Sequence, residues 1–253
     1  MTQDQVPMKL SVVIPSYNEA DSLPETVLAI YEELIKNNIN HEILIINDNS
    51  QDNTLETLGN LKEKVVSLRW ITNTSPNGFG YAVRKGLENF EGDCVAIMMA
   101  DLSDSPKDLV LFYRTMEEGN YDAVFGTRWG KGGKVYDYPF LKKIINRIAN
   151  TIIKTCFGLK YNDTTNAFKM YKKKTIEGLN PLLSPHFNLT IELPLKVIIR
   201  GYSYAIVPNS WRNRKFGVSK LKIREMGTRY FFILLYCLIE KHFSKNDFKK
   251  KWN

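Results

Sequence analysis

Cysteine and histidine are scarce in this chain, and each scarcity removes a class of chemistry. The three cysteines, Cys94, Cys156 and Cys237, are odd in number and far apart. That excludes a disulfide framework and predicts reduced thiols in a cytoplasmic compartment. The three histidines, His41, His186 and His242, never fall at metal-ligand spacing, so neither a zinc site nor a histidine-based triad is expected. No apolar segment follows the polar residues 1–8, which argues against a secretory leader. The uncharged apolar stretch at residues 230–239 has ten residues, well short of the roughly 20 needed to cross a bilayer. Acidic residues are scarce in the second half. Residues 127–253 carry 26 Lys and Arg against 7 Asp and Glu, whereas residues 1–126 carry 9 against 20, so the net charge of +8 hides a strong polarity. Such asymmetry predicts a basic face for an anionic partner: nucleic acid, a membrane surface or a phosphorylated ligand. No nucleic-acid module is present and the basic residues interleave with aliphatic helix faces, so nucleic acid is set aside.

What is present is a chain of 253 residues, 43% apolar, long enough to bury the core of one large domain. Strand and helix signals alternate through its first half. Strands are expected at residues 9–14, 42–47, 65–72, 95–101 and 121–126. Helices are expected at 22–37, 52–64 and 79–88, with a fourth opened by Ser105, Pro106 and Asp108. Ser22 with Glu25, and Ser105 with Asp108, have the spacing of capping boxes, and Pro24 is tolerated in a first turn. This alternation predicts a doubly wound, mostly parallel α/β sheet with helices on both faces. Residues 139–157 are amphipathic: Ile144, Ile145, Ile148 and Ile152 alternate with Lys142, Lys143, Arg147 and Lys154. Residues 1–225, including that segment, are read as the main domain. Residues 226–253 are read as an apolar helix with a basic tail, either a core helix or one lying in a membrane interface. The tail lysines would meet anionic headgroups at roughly 1 kcal/mol per basic residue.

Two apolar runs end in acidic turns, residues 42–48 at Asp48 and residues 95–101 at Asp101. Short apolar stretches bounded by turn residues read as buried parallel strands. Ligands of open α/β sheets bind beyond the carboxyl ends of such strands, so Asp48 and Asp101 are expected to face one crevice. The alternative is that both merely cap the helices that follow. Gly78 and Gly80 do not form a dinucleotide fingerprint, because the third glycine is missing and the pair comes too late in the chain.

Taken in order, several segments resemble glycosyltransferase family 2, in particular its dolichyl-phosphate mannosyltransferase-like, polyprenyl-phosphate-glycosylating group. They are Val12-Val13-Ile14-Pro15-Ser16-Tyr17-Asn18-Glu19, the acidic turn Asn47-Asp48-Asn49-Ser50, the Gly-rich turn Asn77-Gly78-Phe79-Gly80, and Met99-Ala100-Asp101-Leu102 in the place of a metal-binding Asp-x-Asp. Gly126-Thr127-Arg128, Asp163-Thr164-Thr165-Asn166 and Arg214-Lys215-Phe216-Gly217-Val218-Ser219-Lys220 follow. The resemblance covers roughly residues 9–225. It departs from the family pattern at Met99 and Asn47, where aspartates are usual.

The resemblance implies the GT-A type nucleotide-diphospho-sugar transferase fold and transfer with inversion at the anomeric carbon. Pro15, Tyr17, Glu19, Asp48, Asn77, Gly80, Ala100 and Asp101 would then contact the nucleotide of a UDP- or GDP-sugar. Asp101 would hold Mg2+ or Mn2+, helped by Ser103 or Asp104. Magnesium accepts so few carboxylates because phosphates and water complete its shell. Arg214 and Lys220 would clamp the diphosphate, and catalysis would fall to Asp101, Arg128, Arg214 and Lys220. A polyprenyl phosphate acceptor is largely ionised at pH 7 and needs no general base; Arg128, Lys142 and Lys143 would hold it. A saccharide hydroxyl would need a base, for which Asp163 and Glu192 are the candidates. A silent sugar-nucleotide-binding module, suggested by Met99 and Asn47, is the third reading. The expected setting is the cytoplasmic face of a membrane, with a membrane-spanning partner or self-association left open.

Overall fold

The computed structural model describes residues 7–214, 223–244 and 247–248. Its elements, in order, are β1 (Leu10–Ser16), α1 (Leu23–Lys36), β2 (His41–Asn47), α2 (Thr54–Lys62), β3 (Leu68–Thr72), α3 (Phe79–Asn89), β4 (Cys94–Ile97), α4 (Pro106–Gly119) and β5 (Ala123–Thr127). There follow β6 (Lys134–Tyr136), α5 (Phe140–Phe157), β7 (Lys169–Lys172), α6 (Lys173–Gly178), α7 (Leu189–Ile199), β8 (Tyr204–Pro208), β9 (Ser210–Arg212) and α8 (Ile223–Phe243).

Seven strands form one sheet in the order β3-β2-β1-β4-β7-β5-β8. All neighbours run parallel except β7, which is antiparallel to both β4 and β5. β1 and β2 are buried along nearly their whole length because helices cover both faces, so alternation gives way to continuous apolar runs. One face carries Val12, Ile14, Ile43 and Ile45 against α1 and α4, and the other carries Val13, Leu44 and Ile46 against α3. Emptying one such position, as in Ile45→Ala, would cost about 2–5 kcal/mol. The chain departs from β1 toward β2 and β3 on one side and toward β4 on the other, so the switch point lies between β1 and β4. A crevice opens there at the strand carboxyl ends.

The expected elements are present with shifted ends. β4 stops at Ile97 although the apolar run continues to Ala100, because the chain leaves the sheet before its acidic turn. β3 begins at Leu68 rather than residue 65, and α2 spans less than the expected 52–64. Neither capping box forms as the spacing predicts. Ser22 makes no cap and donates to Glu19 Oε2 at 2.8 Å. Ser105 does cap α4, accepting from the Lys107 N–H, but Asp108 reaches across to the Ser210 N–H and hydroxyl, each at 2.7 Å.

The C-terminal helix α8 packs on α7 and α5 through Ile233 and Cys237, which meet Ile153, Phe157, Ile191 and Leu195. A buried ion pair, Arg200 Nε to Glu240 Oε1 at 2.6 Å, pins the same junction. Among the described residues no helix is long and apolar enough to cross a membrane.

Candidate active site

A cleft of about 790 Å³ lies over the carboxyl ends of β1, β2 and β4 and extends between α5, α7 and α8. Each of the three strands is followed by a residue at positive φ: Asn18 at 51°, Asn49 at 61° and Leu102 at 52°. Asparagine tolerates this conformation, whereas leucine is strained in it. At Leu102 the strain turns its neighbours Asp101 and Ser103 onto the cleft wall.

The first two turns brace each other. Asn18 Oδ1 accepts from the Gln51 N–H at 2.7 Å, Thr54 Oγ1 from the Glu19 N–H at 3.2 Å and Asp52 Oδ2 from the Ala20 N–H at 3.1 Å. Pro15, Tyr17 and Glu19 thereby line the cleft on a fixed loop. Asp48 also lines it, but its carboxylate is already engaged. Asn73 Nδ2 donates at 2.7 Å, Asn77 Nδ2 at 3.2 Å and the Gly78 N–H at 2.7 Å. Three donors leave about one of the four acceptor positions of a carboxylate for a ligand, so Asp48 mainly ties the turn after β2 to the turn before α3. Asn47, where the family pattern has a carboxylate, uses both ends of its amide internally. It accepts from the Ser50 N–H at 3.2 Å and donates to Thr72 Oγ1 at 3.4 Å.

The Gly-rich turn serves packing. Gly78 sits at φ 138°, and a Cβ there would lie 2.6 Å from His186 Nδ1. A Cβ on Gly80 would lie 2.5 Å from the His186 nitrogen. The glycines let α3 press against residues 184–186, while Phe79 stacks on Phe187 with centroids 4.3 Å apart. Of the residues expected at the nucleotide, Asn77, Gly80 and Ala100 are not among those lining the cleft. Ala100 instead accepts from Thr26 Oγ1 through its carbonyl.

The acidic end of the cleft is built from Asp101, Ser103 and Asp104, all on its wall. Asp101 Oδ1 accepts from the Ser103 N–H at 3.1 Å, and Oδ2 is held by Arg214 Nη2 at 2.7 Å. Asp104 is almost fully buried and its Oδ1 has no hydrogen-bond partner. Burial and then the neighbouring Asp101 push its carboxyl up to about 8, against the pull of Arg128. An orphaned buried oxygen beside a second carboxylate is a set of hard oxygen donors that fits a divalent cation. Among the described residues no three His, Cys, Asp or Glu side chains gather for a metal. A cation there would draw on Asp101 and Asp104 and complete its shell with phosphate oxygens and water. Met99 lines the same wall, but its soft thioether is no ligand for such an ion.

Arg128 reaches the cleft but is not free to turn. Its backbone N–H and Nε both donate to Asp163 Oδ2 at 2.9 Å, and Nη2 donates to Oδ1 at 2.7 Å, in a buried pair. Asp163 is thus spent on positioning Arg128, which counts against it as a candidate base for the hydroxyl-accepting alternative. Glu192 is fully buried too. It accepts from the Leu183 and Ser184 N–H groups and pairs with Lys196 at 2.7 Å. Neither lines the cleft. Lys142 does, whereas Lys143 lies over the Trp129 ring at 5.5 Å, as does Arg147 at 5.4 Å. Lys220 falls outside the described residues.

Sequence reasoning missed three features. Lys169, buried in β7, donates to the carbonyls of Thr164 and Thr190 at 3.1 Å and to that of Asn166. Burial above all lowers its amine to about 7, with Asp163, Arg128 and Asp104 adding electrostatic contributions. The signal was a lysine directly after the apolar pair Ala167-Phe168, opening the short strand Lys169-Met170-Tyr171-Lys172. Tyr138 and Trp211, 4.8 Å apart, form an aromatic wall beside Arg128. Beyond that wall the cleft becomes apolar, between Ile145, Ile152 and Ile153 of α5, Ile191 of α7, and Phe231 and Leu234 of α8.

Residues 11–179 match the sequence family described as Glycosyl transferase family 2. The chain is 32% identical over 221 residues to the dolichol-phosphate mannosyltransferase of Pyrococcus furiosus, an alignment spanning 85% of this chain and 60% of that protein. It is 28% identical over 243 residues to the polyprenol monophosphomannose synthase of Mycolicibacterium smegmatis, spanning 86% of each. Among solved structures, the Mycobacterium tuberculosis glucosyl-3-phosphoglycerate synthase, in complex with Mn2+, UDP-glucose and phosphoglyceric acid, superposes with a TM-score of 0.68 at 16% identity. The match covers 91% of this chain and 80% of that one, and it speaks to the fold alone. With its sheet order, its acidic crevice and its motif order in agreement, the chain belongs to glycosyl transferase family 2.

Proposed function

We propose that this protein transfers a sugar, with inversion, from a UDP- or GDP-sugar to a polyprenyl phosphate at the cytoplasmic face of a membrane. One observation carries the reading: a single cleft runs from an acidic, cation-ready end into an apolar groove between α5, α7 and α8. A nucleotide-sugar has no use for such a groove; an isoprenoid chain does. Both curated relatives are named for transfer to prenol phosphates, and the chain spans only 60% of the length of the first.

In this reading Pro15, Tyr17 and Glu19 hold the nucleoside on their braced loop. Asp101, with Asp104 behind it, would hold a divalent ion, whose contribution would be Lewis-acid neutralisation of the leaving diphosphate. Arg214 clamps the same diphosphate. The acceptor phosphate approaches from the groove side, drawn by Lys142 and by the edge of Arg128 left over from Asp163. It arrives as an anion, because a phosphomonoester's second ionisation lies near 6. The protein therefore has to align the nucleophile rather than deprotonate it. The Tyr138 and Trp211 rings exclude water where the sugar would change hands. The commitment of Asp163 and Glu192 to buried ion pairs removes both bases named for the hydroxyl-accepting alternative.

The outer faces of the groove helices explain how a protein without a spanning helix among its described residues would meet a lipid. Phe140 and Leu141 on α5, and Phe232 and Phe243 on α8, are each at least 60% exposed. Lys142, Lys143 and Lys154 flank the α5 face. Apolar side chains beside cations are the signature of interfacial binding. The test is a transfer assay in detergent with Mg2+ or Mn2+ and a panel of UDP- and GDP-sugars. Undecaprenyl phosphate is offered in one arm and undecaprenol in the other. Glycosylation of the phosphate only is expected; equal glycosylation of the alcohol contradicts the proposal.

A further inference from the structure

Arg214 stands where a divalent ion would have to bind. Its Nη2 holds Asp101 Oδ2 at 2.7 Å and lies 3.6 Å from Glu19 Oε1. The Arg214 and Asp101 side chains are only 14% and 9% exposed, so water screens their attraction little. The other Asp101 oxygen is committed to the Ser103 N–H. The Ser103 N–H is fixed in the backbone turn, whereas the occupant of Oδ2 is a side chain that can leave, so Oδ2 is the oxygen that an exchange would open to a metal. Behind it Asp104 Oδ1 is buried without a partner, so the pocket has oxygen donors in waiting but is plugged by a guanidinium. A guanidinium and a divalent cation cannot both sit on one carboxylate oxygen without strong repulsion.

We infer that Arg214 is an exchangeable cation that neutralises Asp101 while the site is empty and moves onto the donor's diphosphate when a metal takes Asp101. The exchange conserves charge pairing. Asp101 passes from guanidinium to metal, and the guanidinium passes from one carboxylate oxygen to phosphate oxygens, which its planar fork can bind in pairs. Each ligand removes the obstacle to the other, so metal and diphosphate bind with positive, reciprocal coupling. Free metal alone binds poorly, which keeps the site closed to cations until donor is present. The identity of the diphosphate rests on the proposed donor; the competition between Arg214 and metal for Asp101 does not.

The experiment measures Mn2+ binding by electron paramagnetic resonance for the full chain, Arg214→Met and Arg214→Lys. Each is titrated alone and with UDP or GDP, allowing for chelation by the nucleotide itself. Without nucleotide, Arg214→Met is expected to bind Mn2+ at least tenfold more tightly than the wild type, and Arg214→Lys to shift in the same direction. Wild-type affinity is expected to rise at least tenfold with the nucleotide that binds, and that gain shrinks in Arg214→Met. Equal or weaker Mn2+ binding by Arg214→Met, with its melting curve intact, overturns the inference. So does a gain that survives the added Asp101→Asn substitution, since the ion would then sit elsewhere. If neither UDP nor GDP binds, the donor reading fails while the nucleotide-free comparison still decides the exchange.

Discussion

At the residue scale, the site separates side chains that face the cleft from side chains that hold others still. Asp101 belongs to the first group. Asp101→Asn is expected to lower transfer by at least 100-fold while leaving the melting temperature within a few degrees, because the residue is a cleft-wall acid and not a core one. A fully active Asp101→Asn enzyme would contradict the metal assignment. Arg128 belongs to both groups. Removing it leaves Asp163 as an uncompensated buried charge, which costs about 3–5 kcal/mol. Arg128→Ala is therefore expected to lose stability in a denaturant titration as well as raising the KM for polyprenyl phosphate far more than that for the donor. Unchanged stability would show that Asp163 is not tied as described. Motif and chemistry pointed to Asp101, Glu19 and Arg214 in the sequence, and the fold brings the three side chains together. The partners of Arg128 and Lys169 were not legible there. Arg128 and Asp163 lie 35 residues apart, and only the pairing of β7 with β4 and β5 brings their neighbourhood together.

At the element scale, the order of strands and helices could be read from apolar runs and turns, since buried parallel strands leave an unmistakable pattern. Their ends could not. The run through residue 100 looks like strand throughout, yet β4 stops at Ile97; beyond it Met98 and Ala100 are buried with residues of α1 and α4, and Met99 lines the cleft. The antiparallel insertion of β7 has no local signature either. β2 offers a pH test of the frame. Burial raises the Glu42 carboxyl, but the Arg69 guanidinium, the Glu91 N–H and the Ser11 hydroxyl outweigh it and hold the pKa below its ordinary value of 4.5. Its stabilising contribution is thus present above about pH 4.5 and lost as pH falls through the lower folded value. Glu42→Gln is expected to be less stable than wild type at pH 7, and the difference to narrow in melts at progressively more acidic pH. A difference constant with pH would refute the pairing. For α5 and α8, Ile148→Asp and Phe232→Asp change exposed positions. Both are expected to reduce co-sedimentation with anionic vesicles several-fold while the far-ultraviolet circular dichroism stays unchanged. Undiminished co-sedimentation would remove these helices from the membrane contact.

At the scale of the whole molecule, the charge polarity of the chain becomes a division of labour. In the proposed reading the acidic first half builds the donor end of the cleft, and the basic second half supplies the helices and arginines offered to phosphate and lipid. Composition pointed to an anionic partner; the fold provides one continuous cleft, which the proposed reading assigns to a nucleotide and a prenyl phosphate together. The most direct measurement is a mass spectrum of the lipid recovered after incubating the protein with undecaprenyl phosphate, a divalent metal and each nucleotide-sugar in turn. A lipid phosphate heavier by one sugar residue, formed with one donor and absent without metal, is the predicted result. Unmodified lipid across a full donor panel, with nucleotide released only when a saccharide is added, would contradict the account.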